Sequence, residues 1–338
     1  MRIISQVLSA VMTQSAPNLD EIGSVRERLG DAIIQTPTIR CAGLEEILGN
    51  ATEVFGKLEF LQRTGTFKAR GALASIRKLS PEQLRRGVTA VSAGNHAIAT
   101  AYAARASGTS AKVVVTASAN PVRVAAARAY GAEVLVADTV QQAFALAERI
   151  QNDEGRYFVH PFDGFDIATG TGTLALELTE QLTPVDDVLI AVGGGGLAGG
   201  VANALKQLWP QTRITGIEPE GADTMHRSFA AGAPCSIEKV TTIADSLGAP
   251  HAAQFSFELC RDNIDQLVRV DDEMLCSAMN TLFRTMKIAV EPACAAATAA
   301  LLGPLKDSLA GRRVLLIFCG SNIDWSGFSQ YAKLTADS

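Results

Sequence analysis

Short apolar runs alternate along this chain with Ala-rich stretches of helical period, and that alternation restricts the folds open to it. Residues 53–60 (EVFGKLEF), 112–116 (KVVVT), 133–137 (EVLVA), 187–192 (DVLIAV), 213–218 (RITGIE) and 313–318 (RVLLIF) are candidate strands. Residues 20–30, 68–79, 95–107, 121–131, 139–152, 170–183, 197–208, 272–286 and 293–302 are candidate helices. Such strands, separated by helices of about ten or more residues, make βαβ units and mainly parallel sheets. Several runs lack polar alternation, as strands covered on both faces do. Pro121 and Gly131 punctuate one helix, Gly108 follows the preceding one, and Pro37 after Thr36 marks an extended entry into the fold.

A length of 338 residues suggests about two domains. With 47% apolar and 19% charged residues the chain can bury a large core, and nothing in it suggests long disorder. A net charge of −5 without blocks of like charge argues against nucleic acid or an anionic membrane as partner. The six cysteines (41, 235, 260, 276, 294 and 319) form no CxxC pair and read as reduced thiols of a cytoplasmic protein. The four histidines (96, 160, 226 and 251) show no ligand spacing, so no structural zinc is expected. The N-terminal MRIISQVLSAVM has Ser5, Gln6 and Ser9 inside its apolar stretch and only Arg2 as a cation. It reads as a frayed or helical extension rather than a signal peptide. No apolar run reaches the length of about 18 residues that a membrane span needs. No repeat or linker marks a domain boundary.

Four motifs carry candidate chemistry. TGTFKARG (64–71) places Thr66 as a candidate N-cap, with Phe67 and Lys68 in the first helical turn. A helix N-terminus disfavours a cation, and with partial burial it lowers the lysine pKa toward the neutral amine a Schiff base needs. On this motif alone a solvated surface lysine remains open. VSAGNHA (91–97) offers a nest of backbone N–H groups for a carboxylate or phosphate, or a plain β–α turn. VGGGGLAGG (192–200) puts four consecutive glycines before a helix, where N–H groups can wrap a phosphate. Gly194, Gly196 and Gly199 also satisfy the dinucleotide spacing, with Glu218 as the distant acid, so that reading stays open at this point. FCGSNID (318–324) puts Cys319 at a strand C-terminus, as a ligand contact or a buried structural thiol.

In this order and spacing the four motifs resemble the fold-type II enzymes of pyridoxal 5′-phosphate (PLP), the tryptophan synthase β-subunit-like fold. The similarity is to the threonine/serine dehydratase (ammonia-lyase) and serine racemase group, from about Asp20 to Asp324. HPFDG (160–164), GTGTLALE (170–177), GIEPEGA (216–222), TIADS (242–246) and EPACA (291–295) fit as well. The resemblance implies an α/β fold of two three-layer αβα domains with mainly parallel sheets. A large PLP-binding domain would take residues 1–86 and 165–338, and a small domain 87–164. Lys68 would hold PLP as a Schiff base and act as the base at the substrate Cα. Phe67 would pack by the ring, Asn95 would bond the ring oxygen, and Cys319 would face the pyridine nitrogen. Gly193, Gly194, Gly195, Gly196 and Leu197 would cradle the phosphate, and Glu291 would line the pocket. Ser92, Ala93, Gly94, Asn95 and His96 would hold the substrate carboxylate, with His96 ordering the loop and His160 structural.

The implied reaction is β-elimination from a β-hydroxy amino acid such as L-threonine or L-serine, giving a 2-oxo acid and ammonia. A neutral Cys319 makes the ring a poorer electron sink than an acid would, which favours prompt loss of a β leaving group. Ala93 stands where racemases of the group carry a serine acid/base, which disfavours racemisation. In metal-dependent relatives the segment after Glu218 supplies a second acid. Here that position is Thr224, with Asp223 one residue early, so no metal is assigned. TIADS carries Ser246 in place of the more usual glycine, a change at the pocket rim. A racemase, a β-replacement enzyme and a non-catalytic ligand-binding homologue are the alternatives. The short tail after Asp324 leaves no room for a regulatory domain. A catalytic-only homodimer acting on a small amino acid, without membrane or nucleic-acid partners, is the expectation.

Overall fold

The computed structural model describes residues 15–333 apart from Ala93 and Ser118. The expectations for residues 1–12 and for Ala93 lie outside the described residues. Among the described residues ten strands form two sheets. They are β1 (Thr38–Arg40), β2 (Glu53–Lys57), β3 (Val88–Val91), β4 (Ala111–Thr116), β5 (Glu133–Ala137), β6 (Tyr157–Phe158), β7 (Asp187–Ala191), β8 (Arg213–Pro219), β9 (Gln266–Val270) and β10 (Arg313–Ile317). The six-stranded sheet runs β1-β2-β10-β7-β8-β9, with only β1 antiparallel to its neighbour. The four-stranded sheet runs β5-β4-β3-β6 and is wholly parallel. The chain leaves the larger sheet after β2, builds the smaller one from 88 to 158, and returns at β7.

Side-chain patterning explains the layers. Every residue of β7 is buried, so both faces of its sheet are covered. In β4, Val113 and Val115 join a core with the helices Lys68–Arg77 and Asn95–Ala106, while Val114 joins a second core with helix Val140–Glu154. Alternate residues thus feed opposite faces, and helices sandwich the smaller sheet. This is the parallel α/β architecture read from the sequence.

Several local expectations need correction. The run 53–60 is a strand only to Lys57 and then tightens into the 3-10 turn Glu59–Leu61. The helix expected at 170–183 spans Phe165–Gln181. Gly170 and Gly172 are packing positions within it. A Cβ on Gly170 would lie 2.6 Å from the carbonyl oxygen of Arg70, so the helix Lys68–Arg77 can approach only a glycine there.

That close approach brings a buried ion network behind helix Lys68–Arg77. The Arg70 guanidinium meets Glu59 at 2.8 Å and Glu177 at 2.6 Å, and Lys57 Nζ meets Glu177 at 2.7 Å. Two cations and two carboxylates, all buried, balance one another. Removing one partner of such a set typically costs about 3–5 kcal/mol. The network ties β2, the turn after it and helix Phe165–Gln181 to the helix that begins at Lys68.

Candidate active site

The candidate site lies where the carboxyl ends of β2, β3, β7 and β10 converge, the place where parallel α/β sheets bind ligands. A cavity opens there. Phe67, Lys68, Asn95, Gly193 to Leu197, Glu291 and Cys319 all line it, so residues spread over much of the sequence meet in one pocket.

The glycine run forms one wall. β7 ends at Ala191, and helix Gly196–Leu208 starts within the run. Gly195 has φ +89°, a conformation L side chains rarely adopt. A Cβ on Gly194 would lie 2.2 Å from Phe162 Cγ, and one on Gly196 would lie 2.4 Å from the Phe162 carbonyl oxygen. Only glycine permits this approach, and it leaves a backbone cradle at a helix N-terminus, a setting that suits a phosphate.

Lys68 stands on the floor because its segment is stitched to the strand end that carries Cys319. Phe60 N donates to Phe318 O, Phe67 N to Cys319 O, and Ser321 N to Gly65 O, at 2.9 to 3.1 Å. Thr66 bridges Gly320. Thr66 is not the N-cap; Phe67 holds that position, and Thr66 Oγ1 accepts from Lys68 N at 3.3 Å. Lys68 Nζ donates to Pro161 O at 3.0 Å and sits 4.9 Å from the Phe67 ring centroid. Burial lowers its pKa to about 8, opposed by the electrostatic pull of Cys319 and Glu291. Desolvation is the largest cause of the shift. The Cys319 thiol is pushed well above its usual range by Cys294, with burial adding to the effect, so it stays neutral.

Asn95 begins helix Asn95–Ala106. Its Nδ2 donates to Glu291 Oε1 at 2.8 Å and to Ser246 Oγ at 3.2 Å, and its Oδ1 accepts from Asn322 at 2.8 Å. Burial raises the pKa of Glu291, which caps helix Pro292–Leu302. In the turn before Asn95, Gly94 N donates to Ser92 Oγ at 3.1 Å. The His96 side chain turns away from that turn and bonds Val159 O at 2.8 Å, and burial lowers its pKa to about 3. His160 Nδ1 accepts from Asp163 N at 2.8 Å and so braces the loop holding Phe162.

Glu218 lies elsewhere, bonded to Met225 N and His226 N at 2.7 Å each at the start of helix Thr224–Ala231. Asp223 pairs with Arg227 at 2.7 Å and Arg269 at 3.1 Å. Sequence reading gave no role to Phe162, Leu247 or Ala293, which also line the cavity. They lie in or next to HPFDG, TIADS and EPACA, but the faces these segments present depend on loop geometry.

Comparison with known proteins gives a consistent picture. Residues 29–320 match the family described as pyridoxal-phosphate dependent enzyme. The chain is 49% identical over 322 residues to a phenylserine dehydratase of Ralstonia pickettii, covering 95% of this chain and 98% of that protein. It is 35% identical over 307 residues to an L-threonine ammonia-lyase of Thermotoga maritima, covering 90% and 76% respectively. The solved structure of maize serine racemase superposes with a TM-score of 0.88 at 33% identity, covering 96% of this chain and 99% of that one.

Proposed function

The chain belongs to the pyridoxal-phosphate dependent enzyme family, and from that premise we propose that it removes water from a β-hydroxy amino acid to give a 2-oxo acid and ammonia. The observation that carries this reading is Lys68. Its amine, with a pKa lowered to about 8, stands in one cavity with a glycine cradle and a neutral thiol.

The residues suit the cofactor. The backbone of Gly193 to Leu197 would hold its phosphate, and a side chain at Gly194 or Gly196 would collide with Phe162 and displace the run. Asn95 supplies a hydrogen-bond donor for the ring oxygen, Phe67 packs by the ring, and Glu291 completes the wall. PLP, when bound, supplies the electron sink for charge left at the substrate Cα.

Lys68 Nζ would hold the cofactor and, as a neutral amine, would take the proton from the substrate Cα. Its bond to Pro161 O keeps that nitrogen near the floor. Ser92, Gly94 and Asn95 hold the substrate carboxylate through their turn, and Ala93 brings no hydroxyl to it. His96 serves through its backbone, since its imidazole is turned to Val159. Cys319 keeps its proton and would be only a weak hydrogen-bond partner for the ring nitrogen, which favours prompt loss of the β-hydroxyl. The eliminated product takes up water and releases ammonia.

The relationship to the Ralstonia protein puts 3-phenylserine beside threonine and serine as first substrates. A large domain of residues 1–86 and 165–338, a small domain of 87–164, homodimer formation and a cytoplasmic location belong to the same proposal. Free thiols at all six cysteines support a reducing compartment.

Pure protein assayed with these three amino acids tests the reading. It predicts equal yields of 2-oxo acid and ammonia from at least one. Release of neither, or rapid racemisation of serine without ammonia, contradicts it.

A further inference from the structure

We propose that Arg123 is a positioning residue of the substrate site, clasping the 242–248 loop over the cofactor pocket while supporting the turn from Ser92 to Asn95. The inference rests on the proposed function for the identity of the pocket. The clasp itself is a matter of geometry.

Arg123 belongs to helix Pro121–Ala129, which packs on β5 and on helix Asn95–Ala106 beside the four-stranded sheet. Its side chain is 9% exposed. Among the described residues its side-chain hydrogen bonds all go to the other half of the molecule. Nη1 and Nη2 both donate to the Asp245 carboxylate, Nε donates to Asn322 O at 3.0 Å, and Nη2 lies 3.5 Å from Glu291 Oε2. Asp245 sits in the 242–248 loop, Glu291 caps helix Pro292–Leu302, and Asn322 follows β10. All three hang on the six-stranded sheet. One guanidinium therefore spans from the smaller sheet's helix to three separate segments of the other half. Its rigid planar fork allows this, whereas an ammonium offers a single point of charge.

The loop on the far side of the clasp touches the pocket at successive residues. Asp245 holds Arg123, Ser246 Oγ meets Asn95 Nδ2 at 3.2 Å, and Leu247 closes over the glycine run. A Cβ on Gly193 would lie 3.0 Å from Leu247 Cα. The loop is tied at its other end by Thr242 and Ile243 N to Asp272. On the near side, a Cβ on Gly94 would lie 3.3 Å from Arg123 Nη1, so the carboxylate-binding turn rests on the guanidinium. Arg123 thus fixes the spacing between the turn that receives the substrate and the loop that covers the cofactor. With the clasp broken, both surfaces stay in place on their own halves but lose their mutual register.

Steady-state kinetics on holoenzyme variants tests this. Losing a charge-assisted hydrogen bond at the clasp raises KM about tenfold or more in Arg123→Gln, with a smaller change in kcat. Asp245→Asn, at an exposed carboxylate, raises KM in the same direction. The double variant is no worse than the poorer single one, because both remove one interaction. Arg123→Lys recovers part of the loss. Cofactor content and Tm stay near wild type in all four. KM within twofold of wild type in Arg123→Gln, additive effects of the two singles, or activity lost only in step with cofactor content overturns the proposal. Limited proteolysis reads the clasp without turnover. Cleavage within 242–248 becomes several-fold faster in Arg123→Gln, and equal rates overturn the clasp. Wild-type protein with no activity on any β-hydroxy amino acid contradicts the proposed function and leaves this second readout to decide on the clasp.

Discussion

The side-chain nitrogen of Lys68 lies 3.0 Å from the carbonyl oxygen of Pro161. The carbonyl accepts from Nζ in either protonation state, so this bond orients the nitrogen without forcing it to stay charged. Burial then lowers the pKa to about 8 from 10.5. Neutral amine grows as pH rises through that value. Covalent capture of PLP by the apo-protein therefore speeds up about tenfold per pH unit below 8 and levels off above it. Stopped-flow recording of the visible cofactor band against pH checks this, and a midpoint near 10.5 contradicts it.

Gly194 faces the Phe162 ring so closely that a methyl group has nowhere to go. Gly194→Ala forces the ring or the run aside, costing about 1–3 kcal/mol, and spoils the phosphate cradle. Tm falls and PLP content drops below stoichiometric when read by absorbance. A variant with full cofactor content and wild-type Tm argues against the cradle.

His96 is the residue whose neighbourhood in SAGNH most invites a catalytic role. Burial lowers its pKa to about 3, so it carries no charge change between about pH 5 and 8. His96→Ala destabilises the fold by about 1–3 kcal/mol through the lost bond to Val159 O. It removes no limb from the pH profile of kcat/KM. Loss of a limb near pH 6.5 assigns His96 a proton-transfer role instead.

The carboxylates near helix Thr224–Ala231 are already engaged. Both oxygens of Glu218 accept backbone N–H groups, and Asp223 is paired with two arginines. Thr224 offers a hydroxyl, bonded to Ala249 O, where a second acid is needed. A hard divalent cation finds a poor donor set there. Activity after exhaustive chelation, and after adding magnesium or calcium, stays within about twofold of untreated enzyme. A several-fold loss on chelation, restored by the metal, contradicts this.

Much of the fold was legible because local signals agreed. β5 at 133–137 and the helix at 272–286 begin and end where the sequence places them. The short strands β1 and β6 and the edge strand β9 (QLVRV) were not legible, although β5, also at a sheet edge, was. The helix over Phe165–Gln181 was legible only from residue 170 on, and its first residues, FDIAT after Gly164, were not. The same limit applies at the site. Lys68, Asn95, the glycine run, Glu291 and Cys319 stand in motifs with local character, and the fold gathers them round one cavity. Arg123 has no such motif. Its meaning comes from Asp245 and Glu291, which are far away in sequence and brought close only by the return of the chain at β7.

The central claim is that Lys68 carries the cofactor for an elimination. Borohydride reduction of the purified holoenzyme, followed by peptide mapping, tests it most directly. The account predicts one pyridoxyl group per chain, on the peptide containing Lys68, with loss of activity in proportion. A label on another lysine, or none in protein that still converts a β-hydroxy amino acid, contradicts it.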